Sequence, residues 1–329
     1  MKSNTNALIC IGSPLQAICA VEAISAYQIN NYDFRVIDDG TRLGQIEKFL
    51  NKKNIKYRVI PFHVSAWKNI CRLIGAFNPF LGKYDFLFIG DYRLTGNRME
   101  SIPLLKIGGN IVFLDDGSYI VNWSRGLLKQ TFIVKFRNLL MNFVCELRKI
   151  SYKNVFTIFA SDIKMEGFKI RENRMESLSL SQKPLGDIVY FIGTNPSSYC
   201  SSLGIKHQVY FDKLRKILHD IRSLNLNKEI VYIPHGRDNT TETVEICKDE
   251  NIRYQKLSVC IELFVLNLNI CPTEILGLGS SALYTLKTMC PNSMITNILM
   301  KGSSDSAYDQ YCGIAKVYEH KGIKTVFVH

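Results

Sequence analysis

Apolar and polar positions along the 329-residue chain alternate between two textures. Short runs of β-branched, aromatic and aliphatic residues recur at Ala7–Ile11, Phe34–Ile37, Tyr57–Pro61, Phe86–Ile89, Ile111–Leu114, Val155–Phe159, Ile188–Ile192, Ile230–Ile233, Ile275–Leu278 and Met294–Leu299. Many are apolar at consecutive positions, the pattern of a parallel strand covered by helices on both faces. Between them lie longer pieces, among them Leu15–Tyr27, Phe211–Leu224 and Thr240–Lys248, whose apolar residues follow helical spacing. Strands and helices in alternation predict an α/β chain built on open parallel sheets. The polar, serine-rich stretch Met175–Asp187, with Pro184 and Gly186, breaks this alternation, and a fresh strand follows at once. It divides the chain into residues 1–180 and 181–329, two domains expected to face each other across a cleft at the carboxyl ends of their strands.

Composition narrows the classes. A charged fraction of 21% against 47% hydrophobic residues excludes disorder. The 41 Lys and Arg outnumber the 29 Asp and Glu by 12, which points to an anionic partner without choosing among nucleic acid, lipid and phosphorylated substrate. The 10 cysteines are scattered with no CxxC pair, so neither a metal site nor a disulfide framework is expected, and a reduced, cytoplasmic protein is. The run Ala7–Ile11 is cut by Gly12-Ser13-Pro14, too short for a signal peptide, and no stretch reaches the roughly 20 apolar residues of a spanning helix.

Four short pieces at strand ends carry candidate chemistry. Asp115-Asp116-Gly117-Ser118 follows the run Ile111–Leu114, where neighbouring side chains point oppositely, so one carboxylate of the pair is expected to face outward. A capped turn explains such a pair equally well, and Asp38-Asp39-Gly40 is a near copy. His235-Gly236-Arg237 lies between a strand and the start of a helix, a natural anion site. Gly279-Ser280-Ser281 repeats that arrangement with two hydroxyls, although an ordinary serine cap has the same appearance and no Walker lysine follows. Gly12-Ser13-Pro14-Leu15-Gln16 follows the first strand without the spacing of a dinucleotide fingerprint.

In this order the pieces resemble the bacterial sialyltransferases of the GT-B type, the group that includes glycosyltransferase family 52 and the polysialyltransferases. The acidic motif is matched by Asp115-Asp116-Gly117, the His-Pro motif by His235-Gly236, and the Ser-Ser motif by Ser280-Ser281. Ile261-Glu262-Leu263 resembles the short Glu motif between the last two, and Gly90-Asp91-Tyr92 precedes the acidic motif by one strand. Gly236 departs from the family, which has proline there.

The resemblance implies a GT-B fold of two Rossmann-like domains and an inverting transfer of sialic acid from CMP-sialic acid to a hydroxyl of a cell-surface glycan, lipooligosaccharide or capsule. No metal or other cofactor is implied. Asp116 would be the general base, with Asp115 turned into the protein, and His235 would offset charge on the leaving phosphate. Ser280, Ser281, Gly279, Arg237, Glu262 and Ser118 would serve the donor, and Ser13, Gln16 and Asp91 the acceptor side. The alternatives are a GT-B transferase using another sugar nucleotide, an inactive member marked by Gly236, and a basic nucleic-acid-binding protein, although no nucleic-acid module is recognisable.

Much of the excess charge falls on Arg125–Lys153, where Arg125, Lys129, Lys135, Arg137, Arg148, Lys149 and Lys153 stand against Glu146 alone. Leu127, Leu128, Phe132, Phe136, Leu139, Leu140 and Phe143 roughly follow helical spacing within it. Two readings fit: an interfacial helix meeting the anionic cytoplasmic face of the inner membrane, and a core-packed helix with a solvated basic face.

Overall fold

The computed structural model describes residues 5–38, 40–61, 82–90, 101–126, 132–178, 180, 184–269, 271–303 and 305–328. Of the residues singled out above, Asp39, Asp91, Tyr92, Leu127, Leu128 and Lys129 lie outside these ranges. The chain separates into two compact units, Met1–Ser177 and Leu178–His329.

The first unit holds β1 (Asn6–Ile11), β2 (Asn31–Asp38), β3 (Tyr57–Pro61), β4 (Tyr84–Ile89), β5 (Leu105–Leu114), β6 (Ser151–Thr157) and β7 (Lys169–Glu172). Its helices are α1 (Pro14–Ala26), α2 (Leu43–Lys52), α3 (Tyr119–Ser124) and α4 (Phe132–Leu147). The strands form one parallel sheet in the order β3-β2-β1-β4-β5-β6-β7. Its central strands are sealed on both faces: Leu8, Ile9, Ile11, Leu87, Phe88, Val112 and Val155 are all buried. α1 starts where Ser13 Oγ accepts from the Gln16 amide and Pro14 supplies the first helical φ.

The second unit holds β8 (Pro184–Ile192), β9 (Glu229–Ile233), β10 (Arg253–Tyr254), β11 (Cys271–Leu278), β12 (Met294–Met300) and β13 (Lys324–Val328). Its helices are α5 (Pro196–Leu203), α6 (His207–Leu224), α7 (Thr241–Asp249), α8 (Ile261–Leu268), α9 (Ala282–Met289) and α10 (Asp305–His320). The sheet is again parallel, in the order β10-β9-β8-β11-β12-β13. On α6 the residues Tyr210, Phe211, Leu214, Ile217, Leu218 and Ile221 recur at intervals of one, three and four and pack against Phe191 and Tyr232 of the sheet.

In both sheets the chain begins at an inner strand, winds outward to one edge, and returns to wind out the other way. This puts a topological switch point between β1 and β4 and another between β8 and β11. The expected α/β class and parallel sheets are therefore found, and all ten expected strands are present.

Three strands were not foreseen: β7, β10 and β13, each at a sheet edge. β7 carries Lys169, Arg171 and Glu172 and β10 is only Arg253-Tyr254, so neither shows an apolar run, whereas β13 does carry Val326-Phe327-Val328, a run too short to stand out. The expected run Val155–Phe159 ends instead at Thr157, because the Ile158 amide leaves the ladder to donate to Asp115.

Charge is divided unevenly. The first unit carries 25 Lys and Arg against 15 Asp and Glu, the second 16 against 14, so +10 of the +12 belongs to Met1–Ser177. Seven of the nine described cysteines are buried and none is in a disulfide. Among the described residues, no helix is long and apolar enough to cross a membrane.

Candidate functional site

The carboxyl edge of the first sheet is assembled around Gln16. Its Oε1 accepts from the Gly12 amide at 2.7 Å, and its Nε2 donates to Asp116 Oδ1 at 2.9 Å. The same side chain fills the space beside Gly90, where a Cβ would come within 2.3 Å of Gln16 Oε1. One buried glutamine thus ties together the ends of β1, β4 and β5, across the switch point. Gly90 has to be glycine for it to fit.

The two adjacent carboxylates receive opposite environments. Asp115 is fully buried. Its Oδ1 accepts from the Thr157 hydroxyl, and its Oδ2 from the Ile158 amide at 2.8 Å and the Cys19 thiol at 3.9 Å. Burial raises its pKa to about 7 against the opposing pull of these hydrogen bonds, and the neighbouring charge of Asp116 adds to the rise. Asp116 is only half-buried, beside Gly117 with its φ of +65°. Ser118, also half-buried, begins α3 without capping it through its side chain. Ser13 is buried and engaged as the α1 cap.

In the second unit three loops leave adjacent strands at the carboxyl edge. After β9, Pro234 is buried and His235, Gly236 and Arg237 are exposed. The Arg237 amide donates to His235 Nδ1 at 3.2 Å, and the Asp238 amide donates to the His235 carbonyl at 2.7 Å. Occupying Nδ1 as an acceptor leaves the proton of the neutral ring on Nε2, pointing away from the turn. Partial burial, reinforced by the Arg237 charge, lowers the His235 pKa, so the ring is neutral at pH 7. Asp238 is 1% exposed and closes the loop: its Oδ1 accepts from the Thr240 amide and hydroxyl at 3.0 and 2.8 Å.

After β11, Gly279 donates its amide to Asn297 Oδ1 of β12 at 3.1 Å. Ser280 Oγ accepts from the Ala282 amide at 3.3 Å, and the Ser280 carbonyl accepts from the Tyr318 hydroxyl at 3.1 Å. Ser281 occupies the cap position of α9 without a side-chain capping bond, so its half-exposed hydroxyl is not spent on the helix. Glu262, near the start of α8, is 6% exposed, and its carboxylate is engaged by its own backbone N–H and the Cys260 thiol. Burial raises its pKa.

Sequence reasoning overlooked the loop between these two. Gly193-Thr194-Asn195 leaves β8, which lies between β9 and β11. Asn195 caps α5 by accepting from the Ser198 amide at 3.0 Å, and its Nδ2 donates to the Arg237 carbonyl at 3.4 Å. A Cβ on Gly193 would meet the Tyr232 hydroxyl at 2.3 Å. The Asn-Pro pair, a capping residue before a first-turn proline, was the available signal. Thr157, which holds Asp115, gave none.

No protein-family model matches the sequence, and no curated protein matches it. Solved structures do. A 2,6-sialyltransferase of Photobacterium sp. JT-ISH-224, solved with the donor product CMP and the acceptor lactose, is 10% identical with a TM-score of 0.56 over 98% of this chain and 78% of that one. The GT-B domain of a Photobacterium damselae sialyltransferase is 12% identical with a TM-score of 0.52 over 98% of this chain and 100% of that one. Acinetobacter baumannii MurG is 10% identical with a TM-score of 0.49, over 98% of this chain and 85% of that one. With two parallel sheets, their order and likeness over nearly the whole length, the chain has the GT-B glycosyltransferase fold.

Proposed function

We propose that the protein is an inverting sialyltransferase that moves sialic acid from CMP-sialic acid to a hydroxyl of a cell-surface glycan or glycolipid. The observation that carries this reading is the divided acidic pair. Asp115 is locked inside by Thr157 and Ile158, while Asp116 stands at the carboxyl edge, oriented by Gln16. This is the arrangement of a base held ready for a substrate hydroxyl. GT-B sialyltransferases among the structural neighbours, one solved with CMP and lactose, support the donor and acceptor classes.

Asp116 takes the acceptor proton. A carboxylate of ordinary basicity serves because the tertiary anomeric centre ionises early, and the proton is lost late. The leaving CMP phosphate is met by the Nε2–H of neutral His235, a hydrogen-bond donor rather than an imidazolium. Ser280, Ser281 and the amides opening α9 hold the phosphate, with Arg237 adding charge from the loop after β9. Ser118 touches the donor. Ser13 acts on the acceptor side by fixing α1, and Gln16 by orienting Asp116. Asp91, outside the described residues, belongs to the same side by resemblance alone. Glu262 reaches the ribose hydroxyls only by giving up its local bonds, so its share of donor affinity is the smallest of the set. The groups proposed for the phosphate are hydroxyls, amides, an imidazole and the Arg237 guanidinium, so metal-independent transfer is the form of the reaction proposed, and the cytoplasm its proposed place.

The test is a thermal-shift panel of CMP, CDP, UDP and GDP. Selective stabilisation by CMP is expected, since a ligand that binds only the folded state raises stability by its mass-action term. Preference for UDP would replace the donor and leave a transferase of another sugar.

A further inference from the structure

The outward face of α4 is not accounted for by the fold or by the proposed chemistry. Its inner face is buried through Met141, Val144 and Cys145. On the opposite side Phe132, Phe136, Leu139, Phe143 and Leu147 are 84%, 57%, 68%, 56% and 61% exposed. Their spacing of three and four residues draws them into one stripe roughly 22 Å long. The solvent side of a helix packed on a sheet normally carries polar residues. The inner face is core-packed, as one of the two readings expects, but the outer face carries an apolar stripe in addition to the exposed Lys135. Other exposed large apolar side chains among the described residues, such as Leu224 and Leu226, are not arranged in a comparable stripe.

Cations flank the helix along the chain. Lys135 is exposed on the helix itself, Arg125 just before it, and Lys149 and Lys153 just after it. Glu146 is the only acidic residue in α4, and it accepts from the Tyr152 hydroxyl at 3.2 Å. The unit that carries the helix holds +10 of the +12 net charge. A second copy of the chain docked on this face would bring the same cations against these ones. An anionic bilayer offers an apolar interior and a negative surface in the same place.

We propose that α4 docks the protein on an anionic phospholipid surface, its apolar stripe inserted at the headgroup–acyl boundary and its flanking cations against lipid phosphates. Both attractions are needed, because a single exposed helix face gives only reversible binding and the charge makes it selective. The attachment is peripheral, since no described helix is able to span.

The experiment is cosedimentation of the full chain with phosphatidylglycerol-containing vesicles and with phosphatidylcholine vesicles. Binding to the anionic vesicles is expected, at least ~10-fold stronger than to the neutral ones and weakened by salt. The double variant Phe136→Ser/Phe143→Ser should lower partitioning by about 10-fold or more. Lys135→Gln/Lys149→Gln should lower it on anionic vesicles by roughly 25-fold, about fivefold per cation. Leu224→Ser/Leu226→Ser, in the other unit, should change nothing. Unaltered melting temperatures establish that the surface variants are folded. Equal binding to neutral vesicles, or full binding by the stripe variant, overturns the proposal. So does a dimer in light scattering that the stripe variant abolishes while vesicles are ignored. Lipid binding is read directly, so the result does not depend on which sugar is transferred.

Discussion

The carboxyl edge of the first sheet is closed by interlocked side chains, whereas that of the second is open loop. In the first, Gln16, Asp115 and Thr157 are each 3% exposed or less; Gln16 bonds Gly12 and Asp116, and Thr157 bonds Asp115. In the second, His235, Gly236 and Arg237 are exposed and Ser280 and Ser281 half-exposed. Charge runs against the simplest expectation: the unit proposed to hold an anionic donor carries only +2, the other +10. On the proposed reading, phosphate recognition in the second unit would rest on local dipoles, hydroxyls and one arginine, and the bulk of the positive charge would be left for a surface. A net charge located by unit says more than one taken over the chain.

The division of labour predicts which variants fail and how. Asp116→Ala should lower turnover by ~10³-fold or more while leaving CMP affinity within about twofold, as removal of a general base does. His235→Ala should cost ~10²-fold in turnover, in the range for a lost donor to developing charge. Its activity limb above pH 7 should match the wild type, because the lowered pKa already leaves the ring neutral there. Ser280→Ala/Ser281→Ala should instead weaken CMP binding by about 10-fold or more, the size of charge-assisted hydrogen bonds lost. Isothermal titration with CMP and initial rates at saturating donor separate these. Comparable CMP weakening in Asp116→Ala would break the comparison between the two edges.

How far these edges were legible follows from what each is made of. Loop motifs that announce themselves in type, such as Asp115-Asp116-Gly117 and Gly279-Ser280-Ser281, were placed at strand ends from the apolar runs that precede them. The central strands were legible because burial on both faces leaves no room for polar residues. The edge strands β7 and β10 were not, since Lys169 or Arg253 in isolation reads as a loop, and β13 offers only the short run Val326–Val328. Gln16 entered as one residue of a turn, yet its bonds to Gly12 and Asp116 join positions 100 residues apart in sequence. Thr157 and Gly193 owe their roles wholly to tertiary neighbours, and nothing in their local sequence marks them.

The buried acid gives a thermodynamic handle on the closed edge. Burial holds the folded Asp115 pKa at about 7, above the ordinary 3.8 of an aspartate. Between these values the folded state retains a proton that the unfolded state has released, so stability falls as pH rises from about 4 to about 7 and then levels. The shift corresponds to a few kcal/mol at most. Asp115→Asn removes this titration, and its melting temperature should decline less steeply across that window than the wild type's, the remaining slope including that of Glu262, whose pKa burial also raises. An identical slope in the variant would place the titrating group elsewhere and leave Asp115 ionised throughout.

The smallest effect expected lies in the open edge. Gly236 stands where the resembling family has proline, and a Cβ added there meets nothing within 4 Å. Its φ lies outside the left-handed region, so no turn requires glycine. Gly236→Ala should therefore keep activity within about twofold and raise stability by roughly 0.4–1 kcal/mol, through loss of freedom in the unfolded chain. A large loss of activity without a change in CMP affinity would mean that His235 has to swing on this glycine during turnover. The open edge would then be a moving part, and its contrast with the Gln16-locked edge would be one of mobility as well as of composition.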